Sequence, residues 1–329
     1  MTRIALGSGI VLMGRYTLAR RLGHGLGGET WLAQGPSGEV AVKVLGAHED
    51  PEGRRQGDLL REATLLRGLE HPHVVGYRGI HDLAEEGLTL LITDYVPGGD
   101  LEGLVQARSA PFGVAEVARL GLQLVDAVAA LHARQCLHRD LKPSNVLVGA
   151  GEGGLPLLRV ADFGISRSLV DGRARSSQPL GSLGYAAPEQ YQAGELTPAT
   201  DRFALGGILL FLATAHHPPP LALGQQAGLA RALLRRAQGE GAEGLPELAA
   251  LVEGLLAMEP DARADLDRCR AVLAALADGR PPEGGAPEAG APPPGASSRE
   301  TLALEAPPLA LAGQIAGGPA PQAPAANPA

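Results

Sequence analysis

Apolar and polar residues alternate over residues 16–22, and the two-residue period returns over residues 30–34 and 39–45, separated by the turn sequence Gly35-Pro36-Ser37-Gly38. A dense apolar stretch, residues 88–95, adds a further strand to a block that reads as β from residue 15 to about residue 105. One helical period interrupts it, over residues 52–69, where Leu59, Leu65, Leu66 and Leu69 recur among charges. Beyond residue 113 the period lengthens, and helices are predicted over residues 114–133, 203–214, 228–238, 245–258 and 265–276. The pattern predicts an α+β chain with a small β-rich lobe and a larger helical lobe, joined near residues 94–99.

The texture changes again near the end. All ten aromatic residues lie between Tyr16 and Phe211, and residues 279–329 hold 12 of the 27 prolines and no aromatic. Such a composition buries too little apolar surface to offset chain entropy, so residues 279–329 are expected to be a disordered Pro/Ala/Gly-rich tail. An apolar island at residues 301–315 reads either as collapsed linker or as a docking peptide for a partner. Residues 1–14 form an N-terminal extension on this reading, and residues 15–278 the folded domain.

Charge and cysteine usage narrow the classes. A net charge of −8 without a run of basic residues argues against nucleic acid as a partner. Two distant cysteines, Cys136 and Cys269, without metal-ligand spacing, fit a reducing cytosol and no structural metal. No stretch reaches the apolar length of about 20 residues that crosses a bilayer, and the N-terminus lacks a clear cleavage site, so the expected location is cytoplasmic. Of the 28 basic residues only Lys43 and Lys142 are lysine. The arginine preference, with heavy Ala, Gly and Pro usage, fits a GC-rich bacterial source; two lysines kept against it point to sites that need a compact charge on a flexible stem.

Gly23-His24-Gly25-Leu26-Gly27-Gly28 is a GxGxxG between two predicted strands. A following helix would suggest a dinucleotide site; the strand that follows instead suits a hairpin folded over phosphates. Lys43 sits mid-strand among valines, as a surface residue or as a phosphate ligand held by Glu62 on the small lobe's helix. Far more specific are His138-Arg139-Asp140-Leu141-Lys142-Pro143-Ser144-Asn145, then Asp162-Phe163-Gly164, then Ala187-Pro188-Glu189, in that order. Here the sequence resembles the protein kinase family, in particular its eukaryotic-like bacterial serine/threonine branch, over residues 15–278.

The resemblance implies a bilobal fold, with lobes of about residues 15–96 and 97–278, and cofactors ATP and Mg²⁺ (or Mn²⁺). Gly23, Gly25 and Gly28 would cover the phosphates, Lys43 would pair them, and Glu62 would hold Lys43. Asp140 would orient the acceptor hydroxyl, Lys142 would contact the transferring group, and Asn145 and Asp162 would bind the metal. Lys142 favours protein Ser/Thr acceptors over tyrosine. Thr93 would be the gatekeeper, the backbones of Asp94 and Val96 would meet the adenine edge, and Ala41 and Leu147 would sandwich the ring. Asp100 reads equally as a ribose ligand or a helix N-cap. Asp201 would brace the catalytic loop, and Arg263 would pair with Glu189. Arg139 beside Asp140 implies control by an activation-segment phosphate, with Ser176 or Ser177 as autophosphorylation sites and Ser182 contacting Asp140 and Lys142.

Thr30 departs from the family's usual valine, and residues 216–228 depart most. Two other readings use the same chain: a scaffold that has lost catalysis, against which the intact Lys43, Asp140, Asn145 and Asp162 count, and a small-molecule phosphotransferase, which would lack the Ala187-Pro188-Glu189 block.

Overall fold

The computed structural model describes residues 6–25, 28–46, 63, 66–83, 86–151, 153–162, 184–192, 195–219, 226–239 and 241–280. The chain divides into two units, Met1–Ala286 and Pro287–Ala329. Beyond Arg280 the expected tail with its apolar island lies outside the described residues, as does most of the helix expected over residues 52–69, of which Ala63 and Leu66 are helical.

Six strands make one antiparallel sheet: β1 Val11–Leu12, β2 Tyr16–Gly25, β3 Gly28–Gly35, β4 Gly38–Gly46, β5 Tyr77–Leu83 and β6 Leu88–Asp94, in the order β1-β2-β3-β4-β6-β5. Alternation in β4 sorts its side chains. Val40, Val42 and Val44 join Trp31, Leu90 and Ile92 in an apolar cluster on one face. Ala41 and Lys43 therefore point to the other, with Lys43 paired to Thr30 on β3 and Leu91 on β6. A lone lysine among valines is thus a pleat effect: its neighbours face the core and it faces the cleft. Gly28 is confined here, because its φ is +94° and a Cβ would lie 2.0 Å from the Val44 carbonyl oxygen.

The helical lobe holds α1 Leu101–Gln106, α2 Val114–His132, α3 Pro198–Thr214, α4 Gln226–Gln238, α5 Leu245–Leu255 and α6 Leu266–Ala277, with a small hairpin of β7 Val146–Gly149 and β8 Leu157–Val160. Every residue of α3 from Phe203 to Thr214 is buried, so this helix is the post around which α2, α4 and α5 pack. It starts at Pro198, ahead of the apolar run that marks it in the sequence. Thr197 caps it by accepting from the Ala199 N–H, and proline suits the first helical position. At the other end α5 stops at Leu255, short of the expected Met258.

β1, β5, α1 and the β7–β8 pair were not anticipated. β5 carries Arg78, Gly79, His81 and Asp82 and a register shift between Tyr77 and Gly79, which erases the alternation that signals a strand.

Candidate active site

Between the sheet and the helical lobe lies a cleft of about 390 Å³. Gly23 and Thr30 from β2 and β3, Ala41 and Lys43 from β4, Thr93 and Val96 from the end of β6, and Asp100, Leu147 and Asp162 from below all line it. Gly23, Ala41, Lys43, Thr93, Val96, Asp100, Leu147 and Asp162 of the expected residues thus share one cavity, while Gly28, Asp94 and Asn145 are not part of its lining. No atom of the described residues lies within 4 Å of the place a Gly23 Cβ would take. Lys43 Nζ donates to Asp162 Oδ1 at 2.9 Å. Its expected partner Glu62 lies outside the described residues, as do Phe163, Gly164 and the serines Ser176, Ser177 and Ser182. Asp100 is seen as a cap: its Oδ1 accepts from the Gly103 N–H at 2.8 Å, at the start of α1.

The loop that carries Asp140 hangs from α3. Asp201 Oδ2 accepts from the His138 N–H at 2.9 Å and Oδ1 from the Arg139 N–H at 2.8 Å, and this holds Arg139 in the left-handed region at φ 65°. His132, at the end of α2, bonds Asp201 Oδ2 through Nε2 at 2.8 Å. His138 Nε2 lies 3.0 Å from the Ala161 carbonyl, which fixes the proton on that nitrogen and leaves Nδ1 to accept from the Asp140 N–H at 3.3 Å. Ala161 precedes Asp162, whose φ is also left-handed at 54°. One imidazole therefore ties the acceptor-side carboxylate to the cleft-side one.

Two neighbouring side chains hold Asp140. Lys142 Nζ donates to its Oδ2 at 2.8 Å, and Asn145 Nδ2 donates to its backbone oxygen at 2.7 Å. With Nδ2 so used, the oxygen of Asn145 is the atom of its amide left to meet a hard cation. A carboxylate and an amide oxygen at a phosphate cleft are the donor set that Mg²⁺ takes alongside nucleotide phosphates, so these residues fit the ion.

Three carboxylates are held below their ordinary range. The charge of Lys43 lowers Asp162, against an opposing effect of burial. Burial pushes Asp201 up, but the hydrogen bond from His132, the charge of His138 and the bonds from the Arg139 and His138 backbone together outweigh it. Burial likewise raises Glu189 and is outweighed by Arg263, the Glu189 backbone and Thr200. Arg263 meets Glu189 with a two-pronged pair at 2.8 and 2.9 Å, and its remaining N–H groups reach the carbonyls of Ala199, Ala257 and Met258. The structure thus places Asp201 against the His138 and Arg139 backbone and Glu189 against Arg263.

Sequence reasoning missed His132 and Gln190. Gln190 Oε1 accepts from the Ala187 N–H at 2.9 Å, and Nε2 donates to the Arg139 carbonyl at 2.8 Å, which splices the Ala187-Pro188-Glu189 block to the catalytic loop. Its place directly after Glu189 was the available signal; His132 offers none, since its partner lies 69 residues away.

Comparison with known proteins agrees with this geometry. Residues 16–272 match the profile of the protein kinase domain. The chain belongs to that family. Serine/threonine-protein kinase PkaB of Streptomyces coelicolor is 36% identical over 213 residues, which cover 62% of this chain and 49% of PkaB. Serine/threonine-protein kinase PknF of Mycobacterium tuberculosis is 34% identical over 210 residues, covering 62% of this chain and 43% of PknF. The chain thus spans about half the length of these curated relatives or less. The crystal structure of the Mycobacterium tuberculosis PknI kinase domain superposes with a TM-score of 0.64 at 27% identity, over 84% of this chain and 100% of that one. The bilobal kinase fold is therefore the fold of this chain. Among its described residues no helix is long and apolar enough to cross a membrane.

Proposed function

We propose that this kinase domain transfers the γ-phosphoryl group of ATP to serine and threonine hydroxyls of protein acceptors. The observation that carries the reading is the pairing of Lys142 Nζ with Asp140 Oδ2 at 2.8 Å on a loop tied to the Lys43–Asp162 cleft. Asp140 aligns the acceptor hydroxyl and takes its hydrogen bond. Lys142 places a compact positive charge beside the transferring group, and Lys43 does the same for the nonreacting phosphates. An alcohol has a high pKa, so positioning and charge neutralisation supply most of the rate. A Mg²⁺ (or Mn²⁺) ion held by Asn145 and Asp162 would neutralise phosphate charge. Thr93, Asp94 and Val96 would meet the adenine edge, Ala41 and Leu147 its faces, and Asp100 the ribose, with Gly23, Gly25 and Gly28 over the phosphates and Glu62 on Lys43.

On this reading the domain comprises about residues 15–278, joined by the Val11–Leu12 strand and by Gly279 and Arg280 at the end of α6, the rest of residues 279–329 is a tail open to a partner, and the protein acts in the cytoplasm without nucleic acid. Arg139, exposed beside Asp140, would receive an activation-segment phosphate on Ser176 or Ser177, placed there by the chain itself, while Ser182 would contact Asp140 and Lys142. Intact mass after incubation with Mg²⁺ and ATP tests the reading. Added phosphate on the natural chain and none on Lys43→Met is expected; ATP binding with no phosphate on any acceptor would return the scaffold reading.

A further inference from the structure

His217 follows α3, in the stretch where the sequence departs most from its family. Its ring stacks on Phe211 of α3, centroids 4.6 Å apart, and its Nδ1 lies 2.9 Å from the hydroxyl of Tyr185. On the far side Nε2 is 3.6 Å from Glu102 Oε1 on α1. A carboxylate beside Nε2 favours the proton there, which leaves the Nδ1 lone pair for the Tyr185 O–H. The backbones also meet: a Cβ on Gly184 would lie 2.1 Å from the Pro218 carbonyl oxygen.

Both ends of this link lead to the reaction. Tyr185 is buried, two residues before the Ala187 N–H that Gln190 ties to the Arg139 carbonyl, next to Asp140. Glu102 belongs to α1, whose cap Asp100 lines the nucleotide cleft and which packs on Pro143–Asn145. We propose that His217 is a positioning residue for acceptor binding, a joint that holds the segment of residues 184–190 against α1. The inference rests on the kinase reading. Among the described residues Tyr185 and Glu102 are titratable groups that face the imidazole, and α3 offers it the apolar face of Phe211.

The test measures steady-state transfer to an Asp140→Asn copy of the full chain, carrying a mass tag, as the acceptor. His217→Phe keeps a flat ring against Phe211 and removes both nitrogens; Tyr185→Phe removes the other partner. Each is expected to raise the acceptor KM about three- to tenfold, the worth of one hydrogen bond, with kcat and the KM for ATP within about twofold. His217→Asn, which returns an acceptor atom near Nδ1, should recover most of the loss, and the variant carrying both phenylalanine substitutions should be no worse than either single one. An unchanged acceptor KM, multiplying single effects, or a fall of kcat and of the melting temperature together with a rise of both KM values would overturn the inference. A natural chain that transfers to neither itself nor the acceptor removes the kinase reading and this inference with it. An active natural chain whose His217→Phe variant transfers equally well removes the inference alone.

Discussion

Asp140 shares Oδ2 between Lys142 Nζ at 2.8 Å and Asn145 Nδ2 at 3.2 Å. That sharing decides what a charge-conserving exchange does at Lys142. The planar guanidinium of an arginine would close a two-pronged pair on the carboxylate and hold the oxygen that the acceptor hydroxyl needs. Lys142→Arg is therefore expected to lower kcat by about 10²-fold, within the usual range for a misplaced proton-handling group, while the KM for ATP stays near its natural value. Steady-state kinetics on both substrates checks it; an arginine variant with natural kcat would remove Lys142 from the reaction. The same two lysines were the legible signal in an arginine-rich chain, and the words around them carried the site because its chemistry is written in contiguous residues. His132 and His217 were not legible, since each acts through a partner that only folding brings near, and Gln190 offered only its place directly after Glu189.

At the scale of elements, the catalytic loop is suspended from α3 by Asp201, and the Ala187-Pro188-Glu189 turn is pinned by Arg263 to the stretch after α5. Glu189 is buried, so removal of its cation leaves an uncompensated charge. Arg263→Ala should cost about 3–5 kcal/mol, seen as a lower denaturant midpoint; a loss below about 1 kcal/mol would mark the pair as ornamental. The depressed pKa values set the direction with pH. Glu189 and Asp201 bind protons less readily folded than unfolded, so their contribution is present above the unfolded value of about 4 and is lost as pH falls through the folded values. Chemical denaturation from about pH 7 down to about pH 3 should show stability that declines below about pH 5, and Asp201→Asn should flatten part of that decline. β4 and α2 were readable because their periods are clean and one face is core. β5 and α1 were not, because polar residues and a bulge break the first and six residues make too short a window in the second.

At the scale of the whole molecule, composition placed the end of the folded domain at residue 278, and the end of α6 shows why a cut there is not neutral. Gly279 has a φ of 64°, its N–H donates to the Leu276 carbonyl at 3.3 Å, and the Arg280 N–H reaches back to the Ala275 carbonyl at 2.9 Å. These are the two bonds of a Schellman cap, which satisfies carbonyls that a helix end otherwise leaves open. Composition cannot report this, because a glycine and an arginine before a proline run read as the first residues of a tail. α6 packs along α2, which carries His132 and so the support of Asp201. Fraying at the cap is therefore expected to lower global stability without touching the cleft. Deletion of residues 281–329 should leave the denaturant midpoint and basal ATP turnover at their full-length values. Deletion of residues 279–329 should lose about 1 kcal/mol of stability with turnover retained. Equal midpoints for the two truncations would show the cap to be dispensable, and insoluble protein from the 281–329 deletion would show that the domain needs residues beyond Arg280.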